Sequence, residues 1–156
     1  MNMDKKEIQK RVLQNGEPLD LDKFTWDKDT KTFSSLEDNL VLDFNGIDYC
    51  VFSAGSDCVF KTGSGCIFKT GSNCVFDTGS GCVFSTSSYC IFSTGFNCAV
   101  VRRDVYGVIE LKENQKIKLN GWNIKGYKIL DEEEKSLSGK KVKVELDGKS
   151  YTATID

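Results

Sequence analysis

The chain has no histidine, a single proline (Pro18) and no long apolar run. Without histidine it lacks the side chain that most often serves as a general base or metal ligand near neutral pH. No stretch approaches the roughly 20 consecutive apolar residues of a membrane-spanning helix. The opening MNMDKKEIQKRVLQNG lacks the apolar core of a secretory signal. Charge is also close to balanced, with 21 basic against 23 acidic residues, so the basic excess of a dedicated nucleic-acid binder is missing. No nucleic-acid partner, membrane partner or cofactor is therefore expected. The compartment expected is the reducing cytoplasm of the producing or host cell.

What is abundant is ordered. The 156 residues include seven cysteines, at positions 50, 58, 66, 74, 82, 90 and 98, an unbroken period of eight. In register, residues 50–97 read CVFSAGSD, CVFKTGSG, CIFKTGSN, CVFDTGSG, CVFSTSSY and CIFSTGFN. Each unit joins a β-favouring half, Cys-Val-Phe-x-Thr, to a turn-forming half, Gly-Ser-x. The flanking LDFNGIDY and CAVVRRDV fit the same frame, with Phe44 and Val100 in the phenylalanine column. Units this short cannot each bury a core and must stack. Alternation along a strand sends Cys, Phe and Thr one way and Val or Ile and the variable residue the other. Because the variable column holds Lys61, Lys69 and Asp77, the Phe side is the interior. Burial there stabilises by roughly 1.5–3 kcal/mol per ring.

The fold expected is all-β: a two-sided parallel β-solenoid with about 16 residues, or two octapeptides, per coil. A three-sided solenoid and an antiparallel meander are the alternatives, since Gly-Ser-x also suits a hairpin loop. Residues 1–41 should cap the first coil, 42–105 form the solenoid and 106–156 form a C-terminal β cap. In the first cap, Asp4 and Glu7 resemble a capping box opening a short helix. Ile8 and Val12 would share a face of that helix, which Asn15-Gly16 ends. FTWDKDTKTF (24–33) should be a hairpin pairing Phe24 with Phe33 and placing Trp26 beside Lys31. In the last cap, 105–111, 116–119 and 127–130 read as strands, and Asp147-Gly148 marks a closing hairpin.

A ladder lines thiols up along one direction, whereas zinc needs tetrahedral convergence, so buried, reduced and slow-reacting cysteines are expected and no metal site. Neighbouring ladder thiols also lack the dihedral a disulfide requires. Asp43, Asp48, Asp57 and Asp77 do not single out a catalytic pair. No catalytic residue is assigned and no enzyme is expected. The threonines at 62, 70, 78, 86 and 94 have inward parity, which argues against an ice-binding ladder. Two surfaces remain. Val51, Val59, Ile67, Val75, Val83 and Ile91 form outward apolar columns suited to protein contact, including self-association. Arg102 and Arg103 are candidates for contact with an anion or acidic partner.

The tandem CxFxTGxx block, with its FTWDKDTKTFSS lead-in and CAVVRRDVYGVIEL ending (residues 24–111), resembles octapeptide-repeat proteins of phages, giant viruses and environmental relatives. That resemblance implies a stacked β-solenoid of viral or virus-like origin, with virion association, and supplies no activity or site. Ser87 and Phe96 depart from the repeat and predict irregular late coils. The function expected is a non-enzymatic structural or interaction module, with a ligand-binding solenoid (ice, glycan or small anion) as the alternative.

Overall fold

The structure is a computed structural model. It describes residues 3–130 and, beyond them, the backbone of two strands within 140–155. Helix α1 spans Lys5–Gln9, and Asp4 caps it by accepting the Glu7 N–H at 2.9 Å. It ends earlier than the sequence suggests. Val12–Gln14 is strand β1 and Glu17–Pro18 strand β2, joined by Asn15 and Gly16 with φ of 52° and 81°. Asn-Gly with two left-handed residues is the favoured two-residue hairpin turn. Ile8 and Val12 therefore share no helical face. One helical turn is marginal by itself, and pairing of Val12–Gln14 with Leu40–Leu42 wins.

Strands β3 (Thr25–Asp27) and β4 (Thr32–Ser34) form the expected hairpin in a different register. Trp26, and not Phe24, lies opposite Phe33. Asp27 Oδ1 accepts the N–H groups of Asp29 and Thr30, and Lys31 takes φ 53°, so Lys31 belongs to the turn. Phe24 still stacks on Phe33, centroids 5.4 Å apart.

The array follows: β5 (Leu40–Phe44), β6 (Val51–Ser53), β7 (Val59–Thr62), β8 (Ile67–Lys69), β9 (Val75–Asp77), β10 (Val83–Thr86), β11 (Ile91–Ser93) and β12 (Cys98–Arg102). Successive strands alternate between two sheets. In the first, β5, β7, β9 and β11 run parallel, and in the second β4, β6, β8, β10 and β12 do. Phe60 pairs with Phe76, and Phe52 with Phe68, each 16 residues on. The chain is thus a two-sided parallel β-solenoid of about four turns at roughly 16 residues per coil. Val100 pairs with Phe84, in the phenylalanine column as expected. Phe44 is displaced. Leu42 pairs with Phe60 and Phe44 with Thr62, because the first unit, LVLDFNGIDY, is ten residues long.

Both sheets are extended by antiparallel strands at each end. β1 and β2 extend the first sheet and β3 the second at the N-terminal end. At the C-terminal end β13 (Gly107–Leu111) continues the second sheet, and β14 (Lys116–Leu119) with β15 (Tyr127–Ile129) the first. Among the described residues, strands β16 (Lys140–Leu146) and β17 (Lys149–Ile155) pair only with each other. The Asp147-Gly148 turn expected between them lies outside the described residues.

Phenylalanine fills the interior. Along each sheet the rings stack nearly parallel, with centroids 5.1 Å apart for Phe52–Phe68, 4.8 Å for Phe68–Phe84, 5.1 Å for Phe60–Phe76 and 5.0 Å for Phe76–Phe92. Across the sheets they meet edge to face, as in Phe68–Phe76 at 72°. Offset stacking and T-shaped contact are the two geometries that the ring quadrupole favours.

Candidate functional site

The corners explain the repeat letter by letter. The eighth residue of each unit is left-handed, with φ near 60–70°: Asp57, Gly65, Asn73, Gly81, Tyr89 and Asn97. Asn, Asp and Gly tolerate that region best, which gives the column its mixed composition. The sixth position is glycine for another reason. A Cβ on Gly79 would lie 2.3 Å from Ser64 Oγ and 2.9 Å from its backbone N. The turns of adjacent coils touch there. Serine then links the coils: Ser56 Oγ accepts the Ser72 N–H at 3.1 Å, and Ser64 Oγ accepts the Ser80 N–H at 3.0 Å. Both chains of bonds start on a carboxylate, Asp38 for Ser56 and Asp48 for Ser64.

The seven thiols divide into two rails, Cys50, Cys66, Cys82 and Cys98 at one corner and Cys58, Cys74 and Cys90 at the other. All are free and buried. They satisfy corner backbone groups. Cys82 Sγ accepts the Cys66 N–H at 3.4 Å and donates to Gly63 O, while Cys74 and Cys90 donate to Gly55 O and Gly71 O. Thiol–thiol contact first, and burial second, push Cys58, Cys90 and Cys98 far above the ordinary thiol range. Cys74, flanked by the Cys58 and Cys90 thiols, is drawn below it. The threonines are also turned inward, each hydroxyl donating to the next carbonyl, as Thr62 Oγ1 does to Gly63 O at 3.2 Å.

The outward apolar columns fall on opposite sides of the solenoid. Val51, Ile67 and Val83 form one row on the second sheet, and Val59, Val75 and Ile91 another on the first. The structure does not bring the six together. Each row is extended by residues outside the octads, Ala99 on the second sheet, Val41 and Leu13 on the first. The neighbouring outward columns differ. On the first sheet it reads Asp43, Lys61, Asp77 and Ser93, and on the second Ser53, Lys69, Ser85 and Val101. The second sheet therefore presents the less charged face.

Arg102 is fully buried. It occupies the threonine column, opposite Thr86. Its Nε donates to Asp104 Oδ1 at 3.0 Å, its Nη2 to Asp104 Oδ2 and to Gly121 O at 3.1 Å, and its Nη1 to Ile124 O at 2.7 Å. Burial pushes the Asp104 carboxyl up, but Arg102 and the Asn123 N–H outweigh it and hold the group below the usual carboxylate range. Arg103 is exposed but donates to Ser85 O at 2.6 Å, to Ser85 Oγ and to Thr70 O. An anion at Arg102 would have to displace Asp104, so this pair locks the last coil to the 120–126 loop. The adjacent aspartate in RRD was the sequence signal for that lock.

Sequence reasoning missed a set of exposed apolar side chains at the C-terminal end: Trp122, Ile124, Tyr127, Ile129, Tyr106 and Val108. Their signal is in VYGVIEL (105–111) and GWNIKGYKIL (121–130), whose apolar residues continue past the last octad. Among the described residues no group of three or more His, Cys, Asp or Glu side chains is arranged to hold a metal ion. Comparison with family models, curated proteins and solved structures finds no match to the chain.

Proposed function

We propose that the protein is a non-enzymatic structural or protein-interaction module whose rigid solenoid is a scaffold and docking surface. One observation carries this reading. The polar groups of the array are bonded from coil to coil, while in-register apolar rows remain on the outer faces. A stack held this way resists bending, and the regular rows offer a flat contact surface. Of the two faces, the second sheet is the better docking face, since Lys69 and the Arg103 guanidinium held on Ser85 are the charges beside Val51, Ile67, Val83, Ala99 and Val101, whereas Asp43, Lys61 and Asp77 of both signs line the first. The ligand-binding alternative turns on Arg102 and Arg103, whose donors are engaged within the chain, and no observation favours it further.

The test pairs two variants of the immobilised full chain. Ile67→Lys with Val83→Lys should abolish retention of partner proteins from the producing cell at unchanged thermal stability. Val59→Lys with Val75→Lys, on the opposite face, should leave retention intact. Equal retention by both variants would overturn the docking face.

A further inference from the structure

We infer that the outer face of the first sheet binds the same face of a second copy of this chain, about a two-fold axis that runs along the strands between β5 and β7. The inference goes beyond the docking reading, which concerns the opposite face, and the two fail separately.

The first face consists of two rows of outward side chains. One row is apolar from β2 to β11, where Pro18, Leu13, Val41, Val59, Val75 and Ile91 stand side by side. Leu13, Val41 and Val59 are 37%, 45% and 41% exposed. The other row alternates in sign. Asp43, Lys61 and Asp77 are register partners, followed by Ser93. Arg11, one residue before the Val12 that pairs with Leu42, stands level with Asp43 on the next strand out. Asp43, Lys61 and Asp77 are all exposed, and among the described residues none of the three is in an ion pair.

The order of signs selects a second copy as the occupant. Outward from the midpoint between β5 and β7, Asp43 and then Arg11 lie on one side, and Lys61 and then Asp77 on the other. Each charge thus has the opposite sign at the same distance across the midpoint. A half-turn about an axis along the strands keeps every residue at its own level and sets β5 over the partner's β7, β1 over its β9 and β2 over its β11. Asp43 then faces the partner's Lys61, and Lys61 the partner's Asp43. The four charges form a square in which each lysine also neighbours the Asp43 of its own chain. Asp77 falls beside the partner's Arg11. In the apolar row Val41 meets the partner's Val59, Leu13 the partner's Val75 and Pro18 the partner's Ile91. These levels are those of strand pairing within one chain, so no strand has to slide.

Neither a neighbouring axis nor the other face offers this match. An axis between β7 and β9 sets Lys116 against the partner's Arg11 and Lys118 against the partner's Leu13. Within its parallel strands the second face carries positive charge alone, Lys69 and the Arg103 held on Ser85, and cannot pair with itself in this way. Beyond the overlap, β14 and β15 carry the first sheet half a coil past the second. Six strands about 4.8 Å apart and about four residues wide give a footprint of roughly 400 Å² per copy, the size of a reversible contact. An isologous contact of this kind closes at two copies.

Sedimentation of the full chain at concentrations up to about 1 mM should show a monomer passing to the mass of two chains. Lys61→Asp or Asp43→Lys alone turns two opposite-sign contacts into like-sign ones and should weaken the dimer about tenfold or more. Together they should restore it to within about threefold. Lys61→Asp combined with Asp77→Lys should not restore it, and Val59→Lys should abolish it. All four positions are on the surface, so the fold is kept. A monomer at every concentration, single exchanges without effect, or rescue by Asp77→Lys in place of Asp43→Lys would each overturn the inference. A dimer broken by Ile67→Lys and not by Val59→Lys would overturn it too, yet leave the second face standing as the docking surface.

Discussion

Ser87 shows how tightly the corner is specified. It stands where Gly55, Gly71, Gly63, Gly79 and Gly95 stand in other units, and its hydroxyl is buried without a hydrogen-bond partner. The backbone bond from its N–H to Gly71 O stretches to 3.5 Å, against 3.1 Å for Gly79 to Gly63. Ser87→Gly removes both the orphan hydroxyl, which costs about 1–3 kcal/mol, and the crowding; the entropy of glycine returns about 0.5–1 kcal/mol. The net expectation is a gain of about 1 kcal/mol, read as a rise of roughly 2–4 °C in Tm. Gly79→Ala should act oppositely, losing about 1–3 kcal/mol by forcing two turns apart, as urea titration would show. Asp104 is the other sensitive position. Its folded carboxyl titrates below the unfolded one, so its contribution is full above about pH 4 and is lost as pH falls through the folded value. Asp104→Asn should cost about 3–5 kcal/mol at pH 7 by leaving Arg102 buried and unpaired. It should also flatten the acid limb of the stability profile. An unaltered acid limb in the variant would show that other carboxylates govern it.

Among the elements, the strands owe their form to one inward ring each. Phe76 is stacked between Phe60 and Phe92 and edged by Phe68 and Phe84. Phe76→Ala should cost about 3–5 kcal/mol in denaturant titrations. A near-neutral result would mean that the stack collapses without loss and that the rings do not set strand spacing. The array was legible from the sequence because period-two alternation inside a period of eight leaves few alternatives: charge at Lys61, Lys69 and Asp77 orients every strand. The caps were less legible. The four-residue spacing of Ile8 and Val12 suggests a helical face, yet Asn15-Gly16 and the partner strand Leu40–Phe44 outweigh one helical turn. In the β3–β4 hairpin the Asp27 side chain takes up two turn N–H groups and shifts the pairing that aromatic matching alone suggested.

For the molecule as a whole, continuous stacking predicts one cooperative unit across the array. The seven cysteines offer a direct probe, since each is buried within it. A thiol reagent should label essentially none in the native protein and all seven across one unfolding transition coincident with loss of the β-sheet signal. Labelling of one rail before the other would show that the corners open independently. The repeat alone dictated short stacked strands with inward phenylalanines, threonines and cysteines, because each follows from local alternation and from turn chemistry that neighbours in sequence supply; the choice of parallel coils over an antiparallel meander belongs to the tertiary structure. The split of the apolar columns between two faces, the burial of Arg102 beneath the 120–126 loop and the half-coil step at the C-terminal end follow from how many octads close a coil and where the caps begin. Those are matters of three-dimensional closure between residues 16 or more apart, and no local pattern encodes them.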